Sequence, residues 1–303
     1  MKKVKIFGSI SAIVTPFKKN GDLDLLALER LVAYQLKGGV DGIVACGSTG
    51  EAATLNDEEY VAVIKTVVKK VAGKVLVFAG AGSNDTKKAI HFSRLAKSAG
   101  ANALLHVTPY YNKPTPNGLI LHYKAIAKAV NMPIIIYNVP GRTGSNVSPE
   151  TIVRIAREVP AVLAVKEASG NINQMMEIMS RVAKNGTKGL KNFVVLSGDD
   201  ALALPAIALG AQGCISVVCN VAPKLFSNMI HLALHGKLKE AGKLHYALFN
   251  LMNVNFIESN PIPVKTGLSL MGIITESFRL PLTFIENKNK ALVRQALKDL
   301  KLL

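Results

Sequence analysis

The chain is short of several things, and each shortage narrows what it can be. It has only three cysteines, Cys46, Cys214 and Cys219, in 303 residues. That is an odd number without zinc-type spacing, which predicts free thiols in a reducing cytoplasm rather than a disulfide framework. No apolar run is long and uncharged enough to span a bilayer, so no membrane association is expected. The N-terminal residues 1–5 are basic, but Gly8 to Pro16 reads as a strand without a cleavage-site pattern, so no signal peptide is expected either. No metal cluster is evident. His231 and His235 stand one helical turn apart with no catalytic glutamate between them, and Asp199-Asp200 reads better as a helix-capping pair than as a metal site. Gly80 to Asp85 lacks the last glycine of a dinucleotide fingerprint.

Aromatics make up 6% of the chain, and 20 acidic residues face 37 lysines and arginines, a formal net charge of +17. Such an excess raises the possibility of nucleic-acid binding. However, the lysines are dispersed along helical segments, as at Lys65, Lys69 and Lys70, with no basic stripe interleaved with aromatics. A lysine-rich solvated surface accounts for the charge, and no nucleic-acid partner is expected.

What the chain does have is a large apolar content, 49%, arranged as a repeated strand-then-helix unit. Strands are predicted at Ser9–Val14, Gly42–Ala45, Val75–Ala79, Ala103–Val107, Pro133–Tyr137, Leu163–Glu167, Phe193–Ser197 and Gly213–Val217. Helices follow each, opened by signals such as Asp22 and Asp24, Asn56-Asp57-Glu58-Glu59, Asn84-Asp85 and Ser148-Pro149-Glu150; the helix after the fourth strand is expected near Gly118. Eight such units predict an α/β fold, a (β/α)8 TIM barrel over residues 1–235, with an open doubly wound sheet as the other possibility. Strand signals then stop. Residues 236–303 read as a small C-terminal helical domain, with helices at Lys237–Asn255, near Lys265–Gly272 and at Lys288–Leu300.

In a barrel the working residues sit at the carboxyl ends of strands and in the loops beyond them. At the sixth strand, side-chain alternation puts Ala164, Lys166 and Ala168 on one face and Val165 and Glu167 on the other. A lysine among small apolar neighbours loses proton affinity, and a neutral amine is what a carbonyl substrate needs to form a Schiff base. Taken alone, it could equally be a strand-end lysine reaching for water. After the second strand, Gly47-Ser48-Thr49-Gly50-Glu51 sets two hydroxyls between glycines, which suits a small anion. After the fifth, Tyr137 can pass protons and Arg142 can hold a carboxylate. Tyr110 and Tyr111 in a proline-bounded loop suggest an interface or a lid.

These stretches, together with Thr108–Asn112, Ser197–Asp200, Gly213–Val217 and Asn260–Lys265, resemble the pyruvate-dependent class I aldolase family over essentially the whole chain. Within it, Arg142 and Lys166–Asn171 fit the branch that condenses pyruvate with aspartate semialdehyde for lysine and diaminopimelate synthesis. They fit less well the sibling aldolases that act on sugar-derived 2-keto acids such as N-acetylneuraminate. The resemblance implies that Lys166 carries pyruvate as an imine with no further cofactor. It implies that Tyr137, Ser48 and Tyr111 form a proton relay, with Tyr111 supplied by a neighbouring subunit. Thr49 and the backbone at Ile215 match pyruvate-binding positions, and Arg142 matches the residue at the semialdehyde carboxylate. Ser48 stands where many relatives carry threonine, and either residue supplies a hydroxyl. A homotetramer of tight dimers is implied. At the feedback-lysine positions Asp57, Tyr60, Asn84, Lys88 and Tyr110, Lys88 replaces a glutamate of inhibited relatives, so weak or absent lysine inhibition is expected.

Overall fold

The computed structural model describes residues 5–184, 190 and 192–303; the basic residues 1–4 lie outside the described residues. The first half of the chain runs β1 (Gly8–Ala12), α1 (Leu25–Lys37), β2 (Gly42–Ala45), α2 (Asp57–Val71), β3 (Leu76–Gly80), α3 (Thr86–Ser98), β4 (Ala103–Val107), α4 (Pro116–Val130) and β5 (Ile134–Asn138). The second half continues through α5 (Pro140–Thr143), α6 (Pro149–Glu158), β6 (Val162–Glu167), α7 (Ile172–Lys184), β7 (Val194–Ser197), α8 (Ala203–Ala208), β8 (Gly213–Ser216) and α9 (Pro223–Leu234). Three further helices follow, α10 (Leu238–Val254), α11 (Ile262–Leu270) and α12 (Asn287–Asp299). The strands close in sequence order into a barrel, β8 pairing back onto β1, and all eight pairings are parallel. The open doubly wound alternative is thereby excluded.

Parallel neighbours need a crossover, and the helices supply it. Their starts follow the residues that cap them. Asp24 accepts from the Ala27 amide, Asn56 forms a capping box with Glu59, Asp85 accepts from Lys87, and Ser148 accepts from Thr151 ahead of Pro149. Helix α4 starts at Pro116, ahead of the expected Gly118, because Thr115 caps it and proline suits the first turn. Asp22 does not cap α1; it bonds Asn20 instead.

Alternation along the strands divides the apolar side chains into two cores. Ile10, Val44, Phe78, Leu105, Ile135, Ala164, Leu196 and Ile215 fill the barrel, while the opposite faces pack under the helices. The C-terminal helices close against this frame: α10 packs on α9, and α12 on both α10 and α11. Residues 262–268 of α11 are buried throughout. There, Lys265 pairs with Glu51 at 2.5 Å, both side chains wholly inside, and its ammonium lies 4.5 Å from the Phe17 ring centroid. Burial pulls the Lys265 pKa down and the Glu51 carboxylate opposes that pull. No helix among the described residues is long and apolar enough to cross a membrane.

Candidate active site

Strand β6 alternates as expected from Ala164 onward; Leu163, at a register shift against β5, packs on the inner cluster beside Ala164. Ala164 and Ala168 join the inner cluster and Val165 the outer one. Lys166 is 6% exposed and points inward. Its register partner on β5 is Tyr137, and its Nζ lies 4.3 Å from the centroid of that ring. Glu167, on the outer face, is locked by three neighbours. Its carboxylate accepts from Asn138 Nδ2 at 2.9 Å, Gln174 Nε2 at 3.0 Å and the Ser169 amide at 2.8 Å. A buried carboxylate so fully bonded fixes the strand end on which Lys166 rides.

Room for the lysine is made just past the end of the next strand, β7. A Cβ at Gly198 would stand 2.6 Å from Ala168 Cβ and 2.9 Å from Lys166 Cε. Only glycine leaves that space, and neither the alternation nor the turn signals of the sequence reveal it.

The turn after β2 is a tight one, with the Gly50 amide bonded to the Gly47 carbonyl and Glu51 in the left-handed region at φ 52°. It runs against Gly80, where a Cβ would meet the Cys46 carbonyl oxygen at 2.1 Å. Ser48 is exposed and Thr49 buried. Thr49 Oγ1 accepts from Asn260 Nδ2 at 2.9 Å. The loop after β5 forms the short helix α5, which the sequence did not suggest; Pro140 opens it and Gly144, at φ 66°, ends it. On it, Arg142 donates to the Asn260 carbonyl at 3.2 Å.

Ile215 is fully buried on β8, and the turn beyond it is held by Asp200, whose carboxylate accepts from the Val217 and Val218 amides at 3.1 and 2.9 Å. Neither aspartate of the expected capping pair caps α8, whose N-cap is Leu202 without a side-chain bond. Asp199 accepts from the Ala201 and Leu202 amides, but Asp200 turns inward to β8. Burial lifts the Asp200 carboxyl to about 6, against the downward pull of the Ser216 hydroxyl and the two amides. Burial likewise raises the thiols of Cys46, Cys214 and Cys219, which are all free.

Ser48, Tyr137, Arg142 and Asn260 line one cavity of about 830 Å³ at this end of the barrel. Lys166, Thr49 and Ile215 are not among its lining; Lys166 contacts Tyr137, Thr49 contacts Asn260, and Ile215 shares the inner cluster with Tyr137. The cavity extends past Asp57, Asn84, Lys88 and Tyr110. Tyr111 behaves differently. It is 88% exposed at φ 69° and does not line the cavity of its own chain. No group of three or more histidine, cysteine or acidic residues able to hold a metal occurs among the described residues; His231 instead bonds Asp41 at 2.7 Å. Asn260, Gly198 and Lys265 are structural partners to which the sequence assigned no role. Their stretches, Ser197–Asp200 and Asn260–Lys265, were marked only by the family resemblance, with no role for the individual side chains.

A closed (β/α)8 barrel with an inward strand-end lysine against a tyrosine is the architecture of the Schiff-base aldolases. Comparison with known proteins gives the narrower assignment. The profile of the dihydrodipicolinate synthetase family matches residues 5–300. A 4-hydroxy-tetrahydrodipicolinate synthase of Maridesulfovibrio salexigens is 49% identical over 96% of this chain and 97% of its own length. Among solved structures, a dihydrodipicolinate synthase from Thermotoga maritima superposes with a TM-score of 0.95 at 43% identity, covering 99% of this chain and 100% of the other. One from Acinetobacter baumannii, in complex with pyruvate, has a TM-score of 0.94 at 44% identity, covering 99% and 100%. The chain belongs to the dihydrodipicolinate synthetase family.

Proposed function

We propose that the chain condenses pyruvate with L-aspartate 4-semialdehyde to 4-hydroxy-tetrahydrodipicolinate, the lyase activity of lysine and diaminopimelate synthesis. The observation that carries this reading is the Lys166 amine, buried inside the barrel mouth 4.3 Å from the Tyr137 ring. Lys166 Nζ attacks the ketone carbon of pyruvate, water leaves, and a protonated imine forms. Loss of a methyl proton gives an enamine, with the imine nitrogen taking up the electron pair. The enamine carbon bonds to the aldehyde carbon of the semialdehyde, whose oxygen becomes a hydroxyl. The substrate's own amine then attacks the imine carbon, closes the ring and releases Lys166.

In this reading Tyr137 and Ser48 pass protons at the cavity wall. Thr49 and the Ile215 backbone hold pyruvate, and Arg142 faces the semialdehyde carboxylate. Lys166 itself replaces any external cofactor. The outward, exposed Tyr111 suits a role in a neighbouring subunit's relay, within a homotetramer built from tight dimers in the cytoplasm. The sibling activity on sugar-derived 2-keto acids is not favoured, since the relatives quoted above are named as synthases. Borohydride reduction in the presence of pyruvate, followed by peptide mapping, tests the proposal. A reduced pyruvyl adduct on Lys166 is expected, lost in Lys166→Ala; an unlabelled Lys166 would refute it.

A further inference from the structure

Asn260 joins two residues that lie far from it in the chain, 211 positions from Thr49 and 118 from Arg142. It is 6% exposed. Its side chain serves one of them and its main chain the other: Nδ2 donates to Thr49 Oγ1 at 2.9 Å, and the carbonyl accepts from Arg142 at 3.2 Å. The following helix anchors the same segment to the same turn, through Lys265 and Glu51. Asn260 Oδ1 is buried with no hydrogen-bond partner, so all the bonding of this amide goes through its nitrogen.

The polarity of the Thr49 bond has a chemical consequence. A threonine hydroxyl has one proton to give and two lone pairs to receive. With one lone pair taken by Asn260 Nδ2, its own proton remains free. A carboxylate only accepts, so it needs that proton. Were the amide oxygen presented instead, Thr49 would spend its proton on Asn260 and meet an anion with lone pairs alone. The orientation seen leaves the amide oxygen unpaired but uses the NH2, whereas the reverse would leave both donors of a buried NH2 without a partner.

We propose that Asn260 is a positioning residue that sets the Thr49 hydroxyl as a donor to the carboxylate of the 2-keto acid, while its backbone separately steadies Arg142. This rests on the reading of Thr49 as the pyruvate side of the site and Arg142 as the semialdehyde side. It predicts an asymmetry that general loosening of the loop does not produce.

The test uses the full-length chain and steady-state kinetics with both substrates. Asn260→Ala removes the donor but keeps the backbone carbonyl. It is expected to raise the KM for pyruvate about tenfold, the loss expected for one hydrogen bond to a charged site. The KM for the semialdehyde should stay within about twofold. Asn260→Asp keeps the size and packing but reverses the polarity, and should raise the pyruvate KM at least as much as alanine does. The pyruvate concentration that half-saturates borohydride trapping on Lys166 should move in parallel. In a Thr49→Val background the Asn260→Ala change should become silent in pyruvate KM, since the hydroxyl it acts through is gone.

A near-normal pyruvate KM in Asn260→Asp overturns the proposal. So does an equal rise in both KM values, or an undiminished Asn260→Ala effect in the Thr49→Val background. Absence of a pyruvyl adduct in the wild-type chain is a different result, which refutes the Schiff-base reading itself.

Discussion

Gly198 offers the sharpest quantitative test of how Lys166 is placed. Its backbone is not in the left-handed region, so Gly198→Ala adds contact rather than torsional strain. The new methyl would stand 2.9 Å from Lys166 Cε and 3.0 Å from its Cγ, where ordinary contacts are 3.4–4 Å. The lysine chain must therefore shift by about 0.5–1 Å, and a displacement of that order at a reacting atom costs up to about 100-fold in rate. The methyl would also stand 2.6 Å from Ala168 Cβ, so overpacking should cost about 1–3 kcal/mol of stability. The expected outcome is a kcat lower by about 10- to 100-fold, with slower borohydride trapping of pyruvate and a modestly lower urea midpoint. Adding Ala168→Gly removes the contact with Ala168 but leaves the one with Lys166. The double variant should then regain stability more fully than it regains kcat. A kcat for Gly198→Ala within about twofold of wild type would refute the view that this missing side chain sets the lysine's position.

Other outcomes follow from the same geometry. Lys265→Met strands Glu51 as a buried unpaired charge and should cost about 3–5 kcal/mol in a denaturant melt, with Glu51→Gln in the same chain recovering part of the loss. Asp200 has its folded pKa, about 6, above its ordinary value of 3.8. Its contribution is therefore fully present below about pH 4 and lost as pH rises through 6, worth at most about 3 kcal/mol. Wild type should lose stability relative to Asp200→Asn across that window, and parallel urea midpoints at pH 4 and pH 7 would contradict it. Lys88 lines the cavity, at a position the resemblance links to feedback lysine, and a cation there would repel the effector's ammonium groups. Millimolar lysine should leave initial rates nearly unchanged, and half-inhibition at or below that concentration would count against this.

What the sequence by itself determined is what depends on neighbours a few residues apart. Alternation across Ala164–Ala168 set Lys166 on the face opposite Val165 and Glu167, because a pleated strand disposes successive side chains that way. That this face is the interior only the closed barrel decided. Capping at Asp24, Asn56, Asp85 and Ser148 was legible because the bonded amides lie within three residues. The eightfold strand–helix repetition, with parallel strands that demand crossovers, was enough to favour a barrel, although closure itself was visible only once β8 was seen paired to β1.

Tertiary structure decided the rest, because barrel closure and the packing of the C-terminal helices bring together residues that share no local signal. Lys265 meets Glu51 across 214 positions and Asn260 meets Thr49 across 211. The clearance at Gly198 exists only once β6 and β7 are side by side. The two aspartates after β7 show the limit most plainly. Neither caps α8, whose N-cap is Leu202. Asp199 bonds the amides two and three residues on, in a local turn. Asp200 was claimed by the amides beyond β8, whose position only the closed barrel defines.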